Sequence, residues 1–409
     1  MTESPQSEWD SRPTEGFEPI KPSEAMRIIH ATEQIDYAWG GLTYSVPRLC
    51  LELERRQHEV YLACLSNLPE PPPFPFVRRF TRTQLPLRRQ IGSNTAMLEW
   101  MRRQARTGTL TAFHVHGMWR MPTVYPSTVG LESGVPVVFA PRGSLGPAAF
   151  KGGSKVKRVF WPAVQRPAMK RTTCFHATAF SEAEEIRSHG FRQPIAVIPN
   201  GVDVPDRVLG VDKHPRTALC LGRIHPKKAI DVLLKAWKSV EQRHPDWRLR
   251  IVGPDDGGHL PGLQALERSL GLRAVSWEGP LEGKAKLEAY AQASLFVMPT
   301  WNENFGLTVA ESLAVETPVL VSKGAPWSGV TAAGCGWWVD CGVEPIEAGL
   351  QQALACSDET LAKMGRRGRT WIQSEFSWEA VAEQMETLYQ WLQRRCPPND
   401  RPTWVQPAC

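Results

Sequence analysis

The chain has 409 residues, 42% of them hydrophobic and 22% charged, with 48 Lys+Arg against 42 Asp+Glu and a formal net charge of +6. That balance excludes wholesale disorder and a fibrous repeat, and the length exceeds what one core usually organises, so two domains are expected. The charge is uneven: residues 1–25 carry −4, residues 26–205 carry +11 and residues 206–409 carry −1, which points to an anionic partner for the first half. No stretch approaches the roughly 18 consecutive apolar residues of a membrane span. The nine cysteines are odd in number, irregularly spaced and without a C-x-x-C, so reduced thiols are expected rather than disulfides or a zinc site. Residues 1–25 are polar, contain Pro5, Pro13 and Pro19, and lack the basic start and apolar core of a signal peptide. They read as a flexible tail, and the chain reads as cytoplasmic.

In chain order, Met26–His30 is a short strand, followed by a turn at Gly40-Gly41 and a helix over about 42–56 with Leu42, Val46, Leu49 and Leu53 at helical spacing. Val60–Cys64 is a strand, and 69–75 a proline-rich loop. A helix near 94–104 precedes strand 112–116, and further strands follow at 135–140, 174–178 and 195–198, with a helix at 182–188. The polar stretch 204–216 reads as a linker. The alternation then restarts: strands at 218–221, 248–252, 275–277, 295–298 and 318–321 are separated by helices at 229–243, 262–270, 284–292 and 306–314. Repeated strand–helix order means a parallel sheet covered on both faces. The expected fold is α/β, two doubly wound Rossmann-like domains facing a cleft, with ligands beyond the carboxyl ends of the strands.

Three windows carry chemistry. The first, Pro299–Glu311, leaves a strand, makes a loop and enters a helix. Glu303 in the loop and Glu311 eight residues on can accept hydrogen bonds from a polyhydroxylated ligand, and Gly306 permits close backbone approach. Read alone, both carboxylates could equally be solvated surface groups. The second, Leu221–Ala229, places Arg223 and Lys228 in the loop after a strand, where a guanidinium and an ammonium can converge on a diphosphate; a merely solvated basic loop is the other reading. The third, Phe113–Gly117, puts His114 and His116 on one face of a strand. A metal pair there lacks a third ligand at convincing spacing, and core histidines are the alternative. The dinucleotide glycine fingerprint, the P-loop and the hydrolase nucleophile elbow are absent.

Together these windows resemble the retaining glycosyltransferases of family 4, of GT-B architecture, over about residues 26–392. Glu303-x7-Glu311 followed by Ser312-Leu313-Ala314 matches the family's E-x7-E motif. Gly222-Arg223 with Lys228 matches its phosphate-binding pattern, with Ala229 where a glycine is usual. Ile198–Asp203, Val252-Gly253-Pro254 and Gly279-Pro280-Leu281 match further segments.

The resemblance implies that Arg223 and Lys228 bind the donor diphosphate and stabilise the leaving group. It implies that Glu311 holds the ribose hydroxyls, and that Glu303 holds the transferred sugar with the amides around Asn304, Phe305, Gly306 and Leu307. His116 resembles a histidine contacting the donor sugar, Gly40-Gly41 a glycine loop over the phosphate, and Gly222 and Gly253 donor-side glycines. No metal or cofactor is implied, and the donor is a UDP-sugar or GDP-mannose.

Ala140-Pro141-Arg142-Gly143-Ser144, Ala325-Pro326-Trp327 and Gly334–Trp338 resemble a bacterial subgroup of surface-polysaccharide assembly, such as lipopolysaccharide or exopolysaccharide synthesis. Arg142 is a candidate contact for acceptor or donor phosphate. Trp337 and Trp338 fit buried packing better than sugar stacking.

The implied organisation is a tail (1–25), an N-terminal acceptor domain (26–204), a linker (205–216) and a C-terminal nucleotide-sugar domain (217–376). A helix (377–393) then crosses back to the first domain, before a tail (394–409). Basic residues cluster at 78–106, and again at 151–171 among Val156, Val159, Phe160, Trp161 and Val164. Such a segment suits an anionic membrane surface, a glycan or lipid-linked acceptor, or plain solvation. The expected activity is retaining hexosyl transfer from a nucleotide sugar. A sugar-nucleotide epimerase or a non-catalytic sugar-nucleotide- or polyanion-binding protein is the competing reading, and nucleic acid binding is disfavoured.

Overall fold

The computed structural model describes residues 25–35, 41–67, 74–146, 150, 155–207 and 215–408. The N-terminal tail, Gly40, most of the proline-rich loop, Lys151 and most of the linker lie outside the described residues. The chain divides into two compact units: one runs to Gly201 and resumes at Trp378, and the other is Val202–Ser377.

The first unit begins with β1 (Arg27–Thr32), α1 (Gly41–Arg55), β2 (Glu59–Leu65), β3 (Val77–Phe80), α2 (Pro86–Ile91), α3 (Thr95–Ala105) and β4 (Leu110–His116). It continues with α4 (Tyr125–Ser133), β5 (Val137–Ala140), α5 (Lys155–Phe160), α6 (Arg166–Lys170), β6 (Cys174–Ala177), α7 (Phe180–Ser188) and β7 (Ile195–Val197). These strands lie parallel in the order β7-β6-β5-β4-β1-β2-β3. All seven residues of β4 are buried, as a strand covered on both faces requires, although two of them are histidines. α1 turns Val46, Leu49, Cys50 and Leu53 into the core at helical spacing. At α3, the Asn94 side chain accepts the Met97 N–H at 2.8 Å, a conventional N-cap.

The second unit comprises β8 (Arg216–Leu221), α8 (Ile230–Glu241), β9 (Trp247–Val252), α9 (Leu260–Leu270), β10 (Val275–Glu278), α10 (Gly283–Gln292) and β11 (Leu295–Met298). It goes on through α11 (Leu307–Ala314), β12 (Val319–Ser322), α12 (Gly329–Ala332), β13 (Gly336–Val339), α13 (Val343–Leu354) and α14 (Asp358–Glu375). Its parallel order is β10-β9-β8-β11-β12-β13. Each sheet therefore grows outward from a central strand in one direction and then in the other. The reversal falls between β1 and β4 in the first sheet and between β8 and β11 in the second. In doubly wound sheets such switch points are where ligands bind.

The chain then returns to the first unit as α15 (Trp378–Gln393) and β14 (Val405–Gln406). α15 buries Val381, Met385, Leu388 and Leu392, the expected apolar face, within the core that holds α1. The Glu386 carboxylate takes a bidentate grip from Arg56 at 2.7 and 2.8 Å and a 2.6 Å contact from His58 Nε2.

Several elements differ from the sequence reading. Residues 394–409, read as a tail, include β14, which pairs antiparallel with β7 and buries Val405; a two-residue strand has no period to read. β8 begins at Arg216, inside the expected linker, because Arg216 is held by Asp358 at 2.8 Å and by the Cys356 carbonyl at 2.5 Å. Residues 343–375, left unassigned by pattern, are two helices. Trp337 and Trp338 lie on β13, and the Trp338 indole donates to the Ala325 carbonyl at 3.1 Å. The eight described cysteines are all free, and five are buried.

Candidate functional site

At the second sheet's switch point, β8 ends at Leu221 and the chain turns through Gly222. The Gly222 N–H bonds the Val252 carbonyl at 2.9 Å, and Gly253 passes so close that a Cβ there would lie 1.9 Å from the Gly222 oxygen. Gly253 is required for this crossing of backbones, and the crossing presents Arg223. The Arg223 guanidinium is exposed and sits 2.7 Å from Asp256. His225 accepts the Lys227 N–H at 3.1 Å and so caps the short 3₁₀ turn Pro226–Lys228. That turn directs the Lys228 ammonium onto the Glu303 carboxylate. Ala229 follows in a left-handed conformation, φ 51°, and starts α8.

The opposite wall comes from the loop after β11. The Thr300 hydroxyl and the Trp301 N–H both bond the Lys227 carbonyl, at 3.0 and 2.9 Å, tying the two loops together. The Glu303 N–H bonds the Gly324 carbonyl at 2.7 Å. Between the walls is a small open recess lined by Gly222, Arg223, Lys228, Met298 and Pro299 among others. Burial by itself would raise the Glu303 carboxyl pKa. The Lys228 ammonium beside it more than offsets this and holds it below the usual carboxylate value. The pair is thus an ionised, charge-assisted contact.

Past Glu303, the Phe305 side chain packs on Trp327, whose indole N–H bonds the Phe305 carbonyl at 2.5 Å. Gly306 turns at φ 85° and Leu307 opens α11. Glu311 on that helix is held by Lys286 and Tyr290, whose hydroxyl is pushed up in pKa, first by burial and then by the Glu311 charge.

In the first unit, four histidines cluster beneath the β1/β4 switch point. His30 on β1 is in register with His114 on β4, and their neighbours His116 and His176 complete the group. Hydrogen-bond direction fixes the tautomers. His176 Nε2 faces the Ile198 carbonyl at 2.9 Å and must donate, so its Nδ1 accepts from His114 Nε2 at 3.1 Å. His114 Nδ1 then accepts the Tyr389 hydroxyl at 2.7 Å. Arg142 can only donate, so His116 Nδ1 accepts from it at 3.2 Å, and His116 Nε2 donates to His30 Nδ1 at 2.9 Å. His30 Nε2 is left as a buried donor with no partner among the described residues. Burial, then the Arg142 charge, pushes His30 down to about 3, and burial first of all lowers His114, His116 and His176. All four rings are neutral at physiological pH.

The third ring that sequence spacing did not supply to His114 and His116 is thus His30, with nitrogens of the three within 4.8 Å of one another. A cation there would lie beside the Arg142 guanidinium. His116 itself is fully buried with both nitrogens engaged, so its ring offers no free donor or acceptor. Gly41 begins α1.

The structure brings Gly222, Arg223, Lys228, Glu303 and Gly253 to one end of the second sheet, next to Gly306 and α11. Sequence reasoning missed Asp256, Lys286 and Tyr290 there, and His30, His176, Asn200 and Tyr389 in the first unit. Those partners are set by strand register and helix packing, which spacing along the chain does not encode.

Two family models match in tandem: Glycosyltransferase Family 4 over residues 39–205 and Glycosyl transferases group 1 over residues 205–371. The chain belongs to this family of glycosyltransferases. It is 34% identical over 213 residues to D-inositol 3-phosphate glycosyltransferase of Segniliparus rotundus, covering 48% of this chain and 47% of that one. The match thus spans about half the length of this curated relative. Among solved structures, sucrose-phosphate synthase from Thermosynechococcus elongatus is 20% identical with a TM-score of 0.70, covering 90% of this chain and 100% of that one. HepE of Anabaena, in complex with UDP and glucose, is 16% identical with a TM-score of 0.67, covering 89% and 100%. These likenesses establish the GT-B fold.

Proposed function

We propose that this chain is a retaining hexosyltransferase that moves a sugar from a nucleoside-diphosphate donor to a glycan or lipid-linked acceptor of a bacterial surface polysaccharide. The observation that carries this reading is the recess at the β8/β11 switch point, which Arg223 and Lys228 both line and where Lys228 is paired with Glu303. Two preorganised cations suit a diphosphate, and they act most strongly where leaving-group charge develops. Lys228 is then shared between the donor phosphate and Glu303. Glu303, held ionised, accepts from hydroxyls of the transferred sugar, and Glu311 accepts from the ribose. The acceptor hydroxyl arrives on the face the nucleotide leaves, with the departing phosphate as base, and configuration is retained. Arg223 and Lys228 provide the charge neutralisation this step needs.

A UDP-sugar is the preferred donor, with GDP-mannose second. HepE solved with UDP-glucose supports that order. The surface-polysaccharide assignment draws support from similarity in fold to WaaG, described as involved in lipopolysaccharide biosynthesis (TM-score 0.61, 15% identity).

Thermal-shift titration with UDP-glucose and GDP-mannose, followed by transfer assays with the stabilising donor, tests the reading. Stabilisation by a nucleotide sugar with transfer is expected. No stabilisation by either would overturn it, and recovery of an epimerised donor without transfer would favour the epimerase.

The basic segment 155–171 is the proposed contact with the cytoplasmic face of the membrane. Val159 is 67% exposed and follows Lys157 and Arg158. Among the described residues no helix is long and apolar enough to cross a membrane. Co-sedimentation with anionic liposomes at physiological salt is expected and should be lost when Arg158, Arg166, Lys170 and Arg171 are reversed to Glu; binding indifferent to that reversal would refute the contact.

A further inference from the structure

The loop that carries Glu303 is bonded along its length to the loop after β12. The Ser322 hydroxyl donates to the Thr300 carbonyl at 2.5 Å, the Glu303 N–H to the Gly324 carbonyl at 2.7 Å, and the Trp327 indole N–H to the Phe305 carbonyl at 2.5 Å. Gly324 lets the two backbones meet, since a Cβ there would lie 2.1 Å from the Thr300 oxygen. The second loop is itself fixed. The Trp327 backbone N–H bonds the Ala325 carbonyl at 2.9 Å, and that carbonyl also accepts the Trp338 indole at 3.1 Å. Residues 322–327 thus form a template on which residues 300–305 are laid.

The bond from Trp327 sets the direction of one peptide group. Phe305 and Trp327 are both buried, and the Trp327 ring is packed by Phe305, Phe376 and Trp371 at centroid distances of 5.2, 5.2 and 5.9 Å. The indole is therefore a fixed donor. A trans peptide points its N–H opposite to its carbonyl, so the Gly306 N–H is turned away from the indole nitrogen. No acceptor among the described residues takes that N–H. Gly306 stands at φ 85°, and the conformational freedom of glycine lets the preceding peptide rotate unless something holds it. Glu303 is alongside: a Cβ on Gly306 would lie 3.5 Å from Glu303 Cγ.

We propose that Trp327 is a positioning residue for the transferred sugar: by gripping the Phe305 carbonyl it fixes the Phe305–Gly306 peptide, so that the Gly306 N–H donates to a sugar hydroxyl beside Glu303. This rests on the glycosyltransferase reading for the identity of the ligand. It gives a role to the segment Ala325-Pro326-Trp327 and to Trp338, which braces that segment through the Ala325 carbonyl. Neither indole touches the ligand; both act through backbone.

Trp327→Phe keeps a buried ring and removes the N–H. Calorimetric titration of the full chain with UDP-glucose and with UDP separates the sugar from the nucleotide. UDP-glucose affinity should fall about three- to tenfold, as for one lost hydrogen bond, while UDP affinity should not change. Trp371→Phe trims the same aromatic stack without reaching the Phe305 carbonyl, and should leave both affinities as they are. Gly306→Ala, strained at its positive φ, should also weaken UDP-glucose. The double variant with Trp327→Phe should lose less than the product of the two, because both act through one peptide. Amide hydrogen exchange of the ligand-free chain over residues 300–307 should quicken in Trp327→Phe and not in Trp371→Phe. Unchanged UDP-glucose affinity in Trp327→Phe, an equal fall for UDP, fully multiplicative losses in the double variant, or unchanged exchange would each overturn the proposal. Failure of the glycosyltransferase reading would show separately, as wild-type protein that ignores both UDP-glucose and GDP-mannose.

Discussion

The Lys286 ammonium lies 2.6 Å from Glu311 Oε1, and the Tyr290 hydroxyl occupies the other oxygen at 2.8 Å. The carboxylate is therefore oriented before any ligand arrives, which lowers the ordering cost of binding. Lys286→Met should raise the donor KM roughly five- to tenfold, about 1–1.4 kcal/mol, with a smaller change in kcat, since Lys286 orients the carboxylate rather than touching the ligand. Tyr290→Phe should do less. Steady-state kinetics with saturating acceptor would decide, and an unchanged donor KM in Lys286→Met would remove Glu311 from the donor site.

Lys228, which lines the recess, forms an ion pair with Glu303, and each keeps the other from being an uncompensated half-buried charge. Glu303→Ala and Lys228→Ala should each reduce kcat/KM by about 10²–10³, the range for loss of one preorganised electrostatic contact. The double variant should lose far less than the product, since the two act as a unit. Turnover near wild type in either single variant, with circular dichroism unchanged, would refute the site.

Ala229 replaces the glycine usual in related loops, and the structure keeps the left-handed turn anyway, at φ 51°. An alanine there costs roughly 1–2 kcal/mol, while glycine adds unfolded-state freedom of about 0.4–1 kcal/mol. Ala229→Gly should therefore leave stability unchanged or raise it by up to about 1.6 kcal/mol, less what the buried Ala229 methyl contributes. Urea unfolding monitored by tryptophan fluorescence would check it, and a lowered midpoint would contradict the strain argument.

The Glu386 clasp should make stability depend on pH. Burial would raise the Glu386 carboxyl pKa, but His58 and Arg56 outweigh it and the folded value lies below normal. A depressed folded pKa means the clasp contributes fully above the unfolded value of about 4.3 and is lost as pH falls through the folded value. Glu386→Gln should cost about 1–3 kcal/mol at pH 7 and flatten the acid limb below about pH 4.5. An equally steep acid limb in the variant would assign that pH dependence to other carboxylates.

The two sheets were legible because strand and helix periods alternate through both halves, and the apolar face of α15 was legible for the same reason. Some of what the pattern reading passed over had a local signal: Ser357, whose hydroxyl accepts the Thr360 N–H at 3.2 Å, precedes Asp358 and Glu359 at the start of α14. That is a standard helix opening. β14 and the short helices had none.

By itself the sequence determined the architecture and singled out the candidate groups of the second unit, because glycine turns, a loop lysine and two carboxylates at fixed spacing are local patterns. Only the tertiary structure decided their state. His30 meets His116 across 86 residues, Tyr389 meets His114 across 275, and Glu386 meets Arg56 across 330. Strand register and helix docking bring these groups together, and they decide which nitrogens donate and which charges are balanced. His116, read from its motif as a sugar contact, has its two ring nitrogens engaged by His30 and Arg142 in this structure.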